Sequence, residues 1–253
     1  MAMIHTIIWF AYFWLYLIAA LPLLFYVRWQ KKKGNIARHD EVTRSVVHNW
    51  SRRLLKLAGA KITVTGEENL PDNALPAVYV ANHQGYFDIP MVLGYLGGAK
   101  ALVAKKEIKK IPLIRSWMEE LGCVFIDREN PRASMTALND AAALVAKGYP
   151  IVVFPEGTRS KTGEMADFKA GAFRIAQKNS APVVPFFIDK TDFLLERNHW
   201  RIKGGDVAIG ILPMIDTSEY AREDWKALPQ LAENMVREAL ESYRAEHDKG
   251  EVK

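Results

Sequence analysis

A single cysteine, Cys123, stands in 253 residues, so neither an internal disulfide nor a multi-cysteine zinc site can form. The six histidines at 5, 39, 48, 83, 199 and 247 contain no HExxH pair, which excludes the zincin arrangement. No GxSxG elbow occurs, so the serine nucleophile of the α/β hydrolases is missing. There is no Walker A loop: the nearest glycine spacing, Gly157 to Gly163, puts Lys161 before the second glycine. Repeats and low-complexity linkers are absent as well. Disorder is excluded by 49% hydrophobic residues beside 25% charged ones.

Charge is unevenly placed. The formal net charge is +5, yet residues 1–60 hold nine Lys/Arg and two acids, whereas the remaining 193 hold 25 basic and 27 acidic residues. Those balances are +7 and −2. A nucleic-acid protein would spread its basic surface over the folded domain, so no nucleic-acid partner is expected. Here the basic residues sit beside an uncharged stretch of 22 residues, Thr6 to Val27. As a straight helix that stretch would measure about 33 Å, enough to cross a bilayer. Pro22 is expected to kink or split it, and aromatic residues run along its whole length rather than at its ends.

Residues 37–58 form an amphipathic pattern. Val42, Val46, Val47, Trp50, Leu54 and Leu57 make one stripe, and Glu41, Arg44, His48, Arg52 and Lys56 the other. Two readings stay open for this end: a helix pair dipping into one leaflet, or a single span followed by a surface helix. A third leaves residues 37–58 packed on the domain. No Lys or Arg precedes the apolar run, so a cleaved signal peptide is not expected. The basic cluster that follows the run places the next domain on the cytoplasmic side. The expected organisation is a membrane anchor over 1–60, an α/β domain over 61–247 and a frayed tail over 248–253.

Beyond residue 60, short apolar runs alternate with helical patterns. Strands are predicted at 61–65, 77–81, 101–104, 123–126, 151–154, 183–188 and 207–212. Helices are predicted at 89–96, 111–121, 131–147, 168–178 and 221–247, with Pro229 a candidate kink. Such alternation predicts a mostly parallel central sheet flanked by helices, whose ligands bind at the carboxyl ends of the strands.

Four of those ends carry chemistry. Asn82-His83-Gln84-Gly85-Tyr86-Phe87-Asp88 follows the second strand, close enough for the Asp88 carboxylate to reach one nitrogen of His83. The other nitrogen is then left to take a proton. With no serine nearby and no feature marking Cys123 as a thiolate, such a dyad suits a hydroxyl brought by the substrate. The bland alternative is a helix cap at Asp88 and a packed histidine. The loop after residue 154, Pro155-Glu156-Gly157-Thr158-Arg159-Ser160-Lys161-Thr162-Gly163, has a glycine, donors and a guanidinium fit for a phosphate, with Glu156 able to accept from an alcohol. A plain turn would look similar. Lys105 and Asp127-Arg128 fall on the same predicted edge.

These residues resemble the glycerolipid acyltransferases, most of all the bacterial 1-acyl-sn-glycerol-3-phosphate acyltransferases. An NHxxxxD block is matched at Asn82–Asp88, a GxxFIDR-like block at Gly122–Arg128, FPEGTRS at Phe154–Ser160 and a VPVVP-like strand at Ala181–Pro185. Lys105-Lys106-Glu107 with Ile111-Pro112 is also similar. Two positions depart from the pattern. Gly85 stands where many members have Ser, and Arg115-Ser116 replaces a Gly-Trp-like pair.

The resemblance implies a 1-acylglycerol-3-phosphate O-acyltransferase of phospholipid biosynthesis, anchored to the membrane by its N-terminal helices. Acyl-CoA or acyl-carrier protein would be the donor, lysophosphatidic acid the acceptor, and no cofactor or metal is implied. His83 would be the base and Asp88 its support. Arg128 and the Glu156, Gly157, Thr158, Arg159 loop would bind the acceptor, with Lys105 and Arg159 on its phosphate. Glycerol 3-phosphate or another lysophospholipid as acceptor remains an alternative, as does a non-catalytic protein that holds anionic lipid.

Overall fold

In the computed structural model, which describes residues 2–71, 75–160 and 163–247, each apolar run predicted as a strand becomes one. They are β1 (Ala60–Thr65), β2 (Val78–Ala81), β3 (Ala101–Lys105), β4 (Val124–Ile126), β5 (Ile151–Val153), β6 (Val183–Asp189) and β7 (Gly205–Ile211). The sheet order is β1-β7-β6-β2-β5-β3-β4. Every neighbouring pair is parallel except β6–β7. β7 and β1 therefore run against the other five strands. β6, β2, β5, β3 and β4 all end at one edge, and the chemistry-bearing loops leave from it. β2, β5 and β6 are buried along their whole length, as strands covered on both faces must be.

One face is covered by α4 (Asp88–Tyr95), α5 (Pro112–Glu120) and, outside them, α3 (Ile36–Ala58). The other is covered by α6 (Pro131–Ala146), α7 (Ala170–Gln177) and α8 (Arg222–His247). α8 is a single helix although Pro229 lies inside it. α3 is capped at its start by the Asn35 side chain, which accepts from the Arg38 N–H. It stops at Gly59, whose φ of 78° is the left-handed conformation that helix ends favour.

The N-terminal apolar stretch is not one helix. It breaks into α1 (Ala2–Ala19) and α2 (Leu21–Lys32), with Pro22 in the first turn of the second, where its missing N–H costs nothing. The two meet at 41°; no single helix among the described residues is long and apolar enough to cross a membrane, though this bent pair is by length and composition. One side of the pair is sealed to the domain. Trp9, Leu17, Ala20, Leu24 and Val27 are buried, and the Trp9 indole donates to the Leu54 carbonyl at 2.9 Å. The opposite side, including Ile4, Ile7, Leu15 and Phe25, is left 63–67% exposed.

The apolar stripe of α3 finds protein instead. Val46, Val47, Leu54 and Leu55 are buried in the same core as Trp9 and Met91, so α3 lies between the N-terminal pair and α4. A charged knot fixes the arrangement. Glu120 at the end of α5 accepts from Arg28 (2.8 Å), Lys31 (3.2 Å) and His39 (3.2 Å). The predicted tail over 248–253 and residues Lys161 and Thr162 of the predicted loop lie outside the described residues.

Because Trp9 joins α1 to α3, Trp9→Ala should lower unfolding stability in detergent by about 3–5 kcal/mol, the usual cost of emptying a buried aromatic site. Trp14→Ala, on the exposed side, should stay within about 0.5 kcal/mol. Chemical denaturation of the two variants beside the parent measures the contrast.

Candidate active site

His83 is held at the end of β2 by its main chain before its ring is considered. Asn82 before it turns a buried amide onto β6, donating to the Ile188 carbonyl at 2.8 Å and accepting from the Ile188 N–H at 2.9 Å. The His83 N–H donates to Glu156 Oε1 at 2.6 Å, and its carbonyl accepts from the Ser160 N–H at 2.8 Å. The imidazole lies flat on Phe154, ring centres 4.2 Å apart and planes 17° from parallel. Backbone and ring plane are thus both fixed, which leaves little freedom for the orientation of the ring nitrogens.

The carboxylate that meets the ring is fully buried. Asp88 Oδ2 lies 2.6 Å from His83 Nδ1 and accepts from the N–H groups of Gln84 (2.6 Å) and Gly85 (3.0 Å). Oδ1 accepts from the hydroxyl of Thr191. Asp88 does open α4, but its bonds reach back to the preceding turn and not forward to the helix amides, so it is not a helix cap. Since Nδ1 faces an acceptor it carries the proton, and Nε2 keeps its lone pair. No described residue hydrogen-bonds Nε2. In particular, no described hydroxyl or thiol reaches it as an internal nucleophile would. Cys123 is buried, and burial pushes its thiol up to about 12, which suits a structural residue rather than a reactive one.

Glu156 is buried beside the dyad. Burial raises the pKa of its carboxyl, while bonds from backbone amides act against that. Oε1 takes the His83 N–H and Oε2 the Ala166 N–H at 3.0 Å. Each oxygen thus accepts from main chain, so Glu156 fastens the loop to the dyad. Gly157 follows it with φ +73°, a left-handed turn. Thr158 is exposed.

Arg159 lies over the Tyr86 ring at 3.7 Å and donates to Glu196 at 3.1 Å. Glu196 in turn accepts from the Tyr86 N–H at 2.7 Å. The first polar loop, the second and the β6–β7 connection thereby close on one another. Gly85 lies close to that connection: a Cβ there would meet Asp192 Cα at 3.0 Å and Glu196 Oε2 at 3.1 Å.

Lys105 and Arg128 reach the same edge but not the dyad. They end β3 and β4, two and three strand spacings from β2, or about 10 and 14 Å sideways. Lys105 is exposed and lies 3.6 Å from Glu107, and Arg128 is exposed beside Asp127, which pairs with Lys106 at 2.8 Å.

The family model described as Acyltransferase matches residues 61–189, just over half of the chain. The chain belongs to that acyltransferase family. A 1-acyl-sn-glycerol-3-phosphate acyltransferase of Borreliella burgdorferi is 31% identical over 174 residues, 67% of this chain and 69% of that protein. A chloroplastic enzyme of the same description from Brassica napus is 44% identical over 125 residues, 49% of this chain. The matched part is only 36% of the Brassica protein, so the chain spans about a third of that longer relative. The crystal structure of the 1-acyl-sn-glycerophosphate acyltransferase of Thermotoga maritima superposes with a TM-score of 0.78 at 28% identity, covering 97% of this chain and 98% of that one.

In this acyltransferase the polar blocks at 82–88, 122–128 and 154–160 fall inside the matched residues, whereas Thr191 and Glu196 fall beyond them. Neither was visible as a functional residue in the sequence: each has only the register of β6 to mark it, a strand end at the common edge. Thr191→Val keeps the shape but leaves a buried carboxylate oxygen without its donor. It should cost about 1–3 kcal/mol of stability and lower kcat, with Thr191→Ser restoring both. Denaturation curves and steady-state rates on the three proteins test this.

Proposed function

We propose that this acyltransferase moves an acyl chain from acyl-CoA or acyl-carrier protein to the sn-2 hydroxyl of 1-acyl-sn-glycerol 3-phosphate, forming phosphatidic acid. The observation that carries the reading is the oriented His83 ring, with Nδ1 bound to a buried carboxylate and Nε2 hydrogen-bonded to none of the described residues. The names of the Borreliella and Thermotoga relatives support the choice of acceptor.

The chemistry follows from that orientation. The acceptor hydroxyl gives its proton to Nε2 as its oxygen attacks the thioester carbonyl. Asp88 stabilises the imidazolium so formed. When the tetrahedral intermediate collapses, the C–S bond breaks and the proton on Nε2 passes to the leaving thiolate. No acyl-enzyme is needed, in keeping with the lack of an internal nucleophile at Nε2 among the described residues. Arg159 and Lys105 hold the acceptor phosphate, and Arg128 adds charge farther along the edge. Glu156, Gly157 and Thr158 shape the loop that presents Arg159, Glu156 from beneath through the His83 N–H.

The exposed apolar side of α1 and α2 enters one leaflet, with Lys31, Lys32 and Lys33 at the cytoplasmic headgroups. Since each buried CH₂ is worth about 0.8 kcal/mol, an acceptor that never leaves the leaflet avoids a large transfer cost.

Transfer of a labelled acyl chain from acyl-CoA to 1-acyl-glycerol 3-phosphate in liposomes tests the reading. His83→Ala should lower kcat at least 10²–10⁴-fold, the usual contribution of a general base. A wild-type protein silent with CoA and carrier-protein donors, across glycerol 3-phosphate and lysophospholipid acceptors, would overturn it. Arg159→Ala should raise the KM for the phosphate-bearing acceptor with a smaller change in kcat; an unchanged KM would remove Arg159 from the phosphate site.

A further inference from the structure

The connection from β6 to β7 is built to face outward. Leu194, Leu195 and Ile202 are buried and pin it to the core. Between them, however, Phe193 is 44% exposed and Trp200 60%. His199 and Trp200 have φ of 52° and 61°, a left-handed conformation that costs a side-chain-bearing residue about 1–2 kcal/mol each. For a bulky aromatic residue this is a clear outlier. The strained turn sends the indole into solvent, where the Tyr86 ring, itself 51% exposed, lies 5.8 Å away. No gain in core packing offsets that cost.

The charge of this segment is also out of character. Residues 61–253 balance to −2, yet Arg197, Arg201 and Lys203 fall within seven residues, with His199 among them; Glu196 directly precedes them and no further acid comes before Asp206. Arg197 pairs with Asp192 at 2.6 Å and covers the Phe193 ring; Arg201 and Lys203 are exposed. Exposed Trp and Tyr beside cations are the composition of a protein surface at lipid headgroups.

The patch adjoins α1 through contacts on the domain-facing side of that helix. The Ile202 N–H donates to the Thr6 hydroxyl at 2.8 Å, and Phe87, next to Tyr86, packs on Trp9 at 5.2 Å. Ile4, Ile7 and Phe10, all exposed, stand on the neighbouring turns of that helix.

We infer that the 193–203 loop is a second membrane contact, with Trp200 and Tyr86 at headgroup level and Arg201 and Lys203 against anionic lipid. The inference rests on the reading that α1 and α2 enter a leaflet. The same connection brings Thr191 to Asp88 and Glu196 to Arg159, so the surface that touches lipid is one short loop away from the dyad and its phosphate cation.

The test uses the full chain with Trp200→Cys carrying an environment-sensitive fluorophore; Cys123, buried, stays unlabelled. Co-sedimentation with vesicles of anionic and zwitterionic phospholipid reports whether the protein is bound, and a shallow spin-labelled lipid reports where residue 200 lies. The emission at 200 should shift to the blue and be quenched in vesicle-bound protein, while the same probe at Glu238→Cys, exposed on α8, should not respond. Arg201→Gln with Lys203→Gln should weaken partition onto anionic vesicles roughly fivefold per charge and leave zwitterionic vesicles unaffected.

A probe at 200 that stays water-like while the protein sediments would overturn the inference and leave the leaflet reading of α1 and α2 standing. A shift without vesicles that grows with protein concentration would assign the patch to a second copy of the chain and overturn it too. Failure to sediment at all would remove the leaflet reading and the inference together.

Discussion

A carboxylate shut away from water must be supplied with donors by the protein, or its burial is prohibitively costly. Asp88 obtains four: the imidazole, two amides of one turn, and a hydroxyl from a residue 103 positions away. That last donor requires β6 to lie beside β2 and to end where β2 ends. Asn82 enforces this pairing from its own position, by gripping both main-chain groups of Ile188. Glu156 plays the corresponding part on the other flank, joining the loop after β5 to the His83 main chain. The histidine is thus clamped through its ring by one buried carboxylate and through its backbone by another. Preorganisation of this kind is what allows a side chain to act as a base without reorganising during the reaction.

The sequence is most legible where one residue type allows few structures. Short apolar runs such as Val183–Ile188, rich in β-branched and aromatic residues and too short for a helix, suit a covered sheet, and they located the strands to within a residue or two. Asn82–Asp88 was legible for a similar reason, since a histidine and a carboxylate joined by four residues at a strand end have a short list of arrangements.

Other features depend on partners far along the chain. The apolar stripe of α3 is plain in the periodicity, but periodicity cannot say whether lipid or α4 covers it. The reversal of β7 leaves no mark, because an apolar strand reads the same in either direction. Nothing local announces that the His83 and Ala166 amides each donate to an oxygen of Glu156. Thr191 belongs to no pattern; it matters only because the fold brings it to Asp88. The basic loop at 197–203 was lost in the averaged charge of the domain.

The tight passage at Gly85 has a consequence for how this chain can change. A methyl group at that position would press on Asp192 and Glu196, so the glycine and the fold of the 191–198 segment form a single choice. That segment also supplies the Thr191 hydroxyl to Asp88 and the Glu196 partner of Arg159, so a shift there is passed on to both contacts. Residue 85 and this segment are therefore coupled: a side chain added at one is accommodated only by movement of the other.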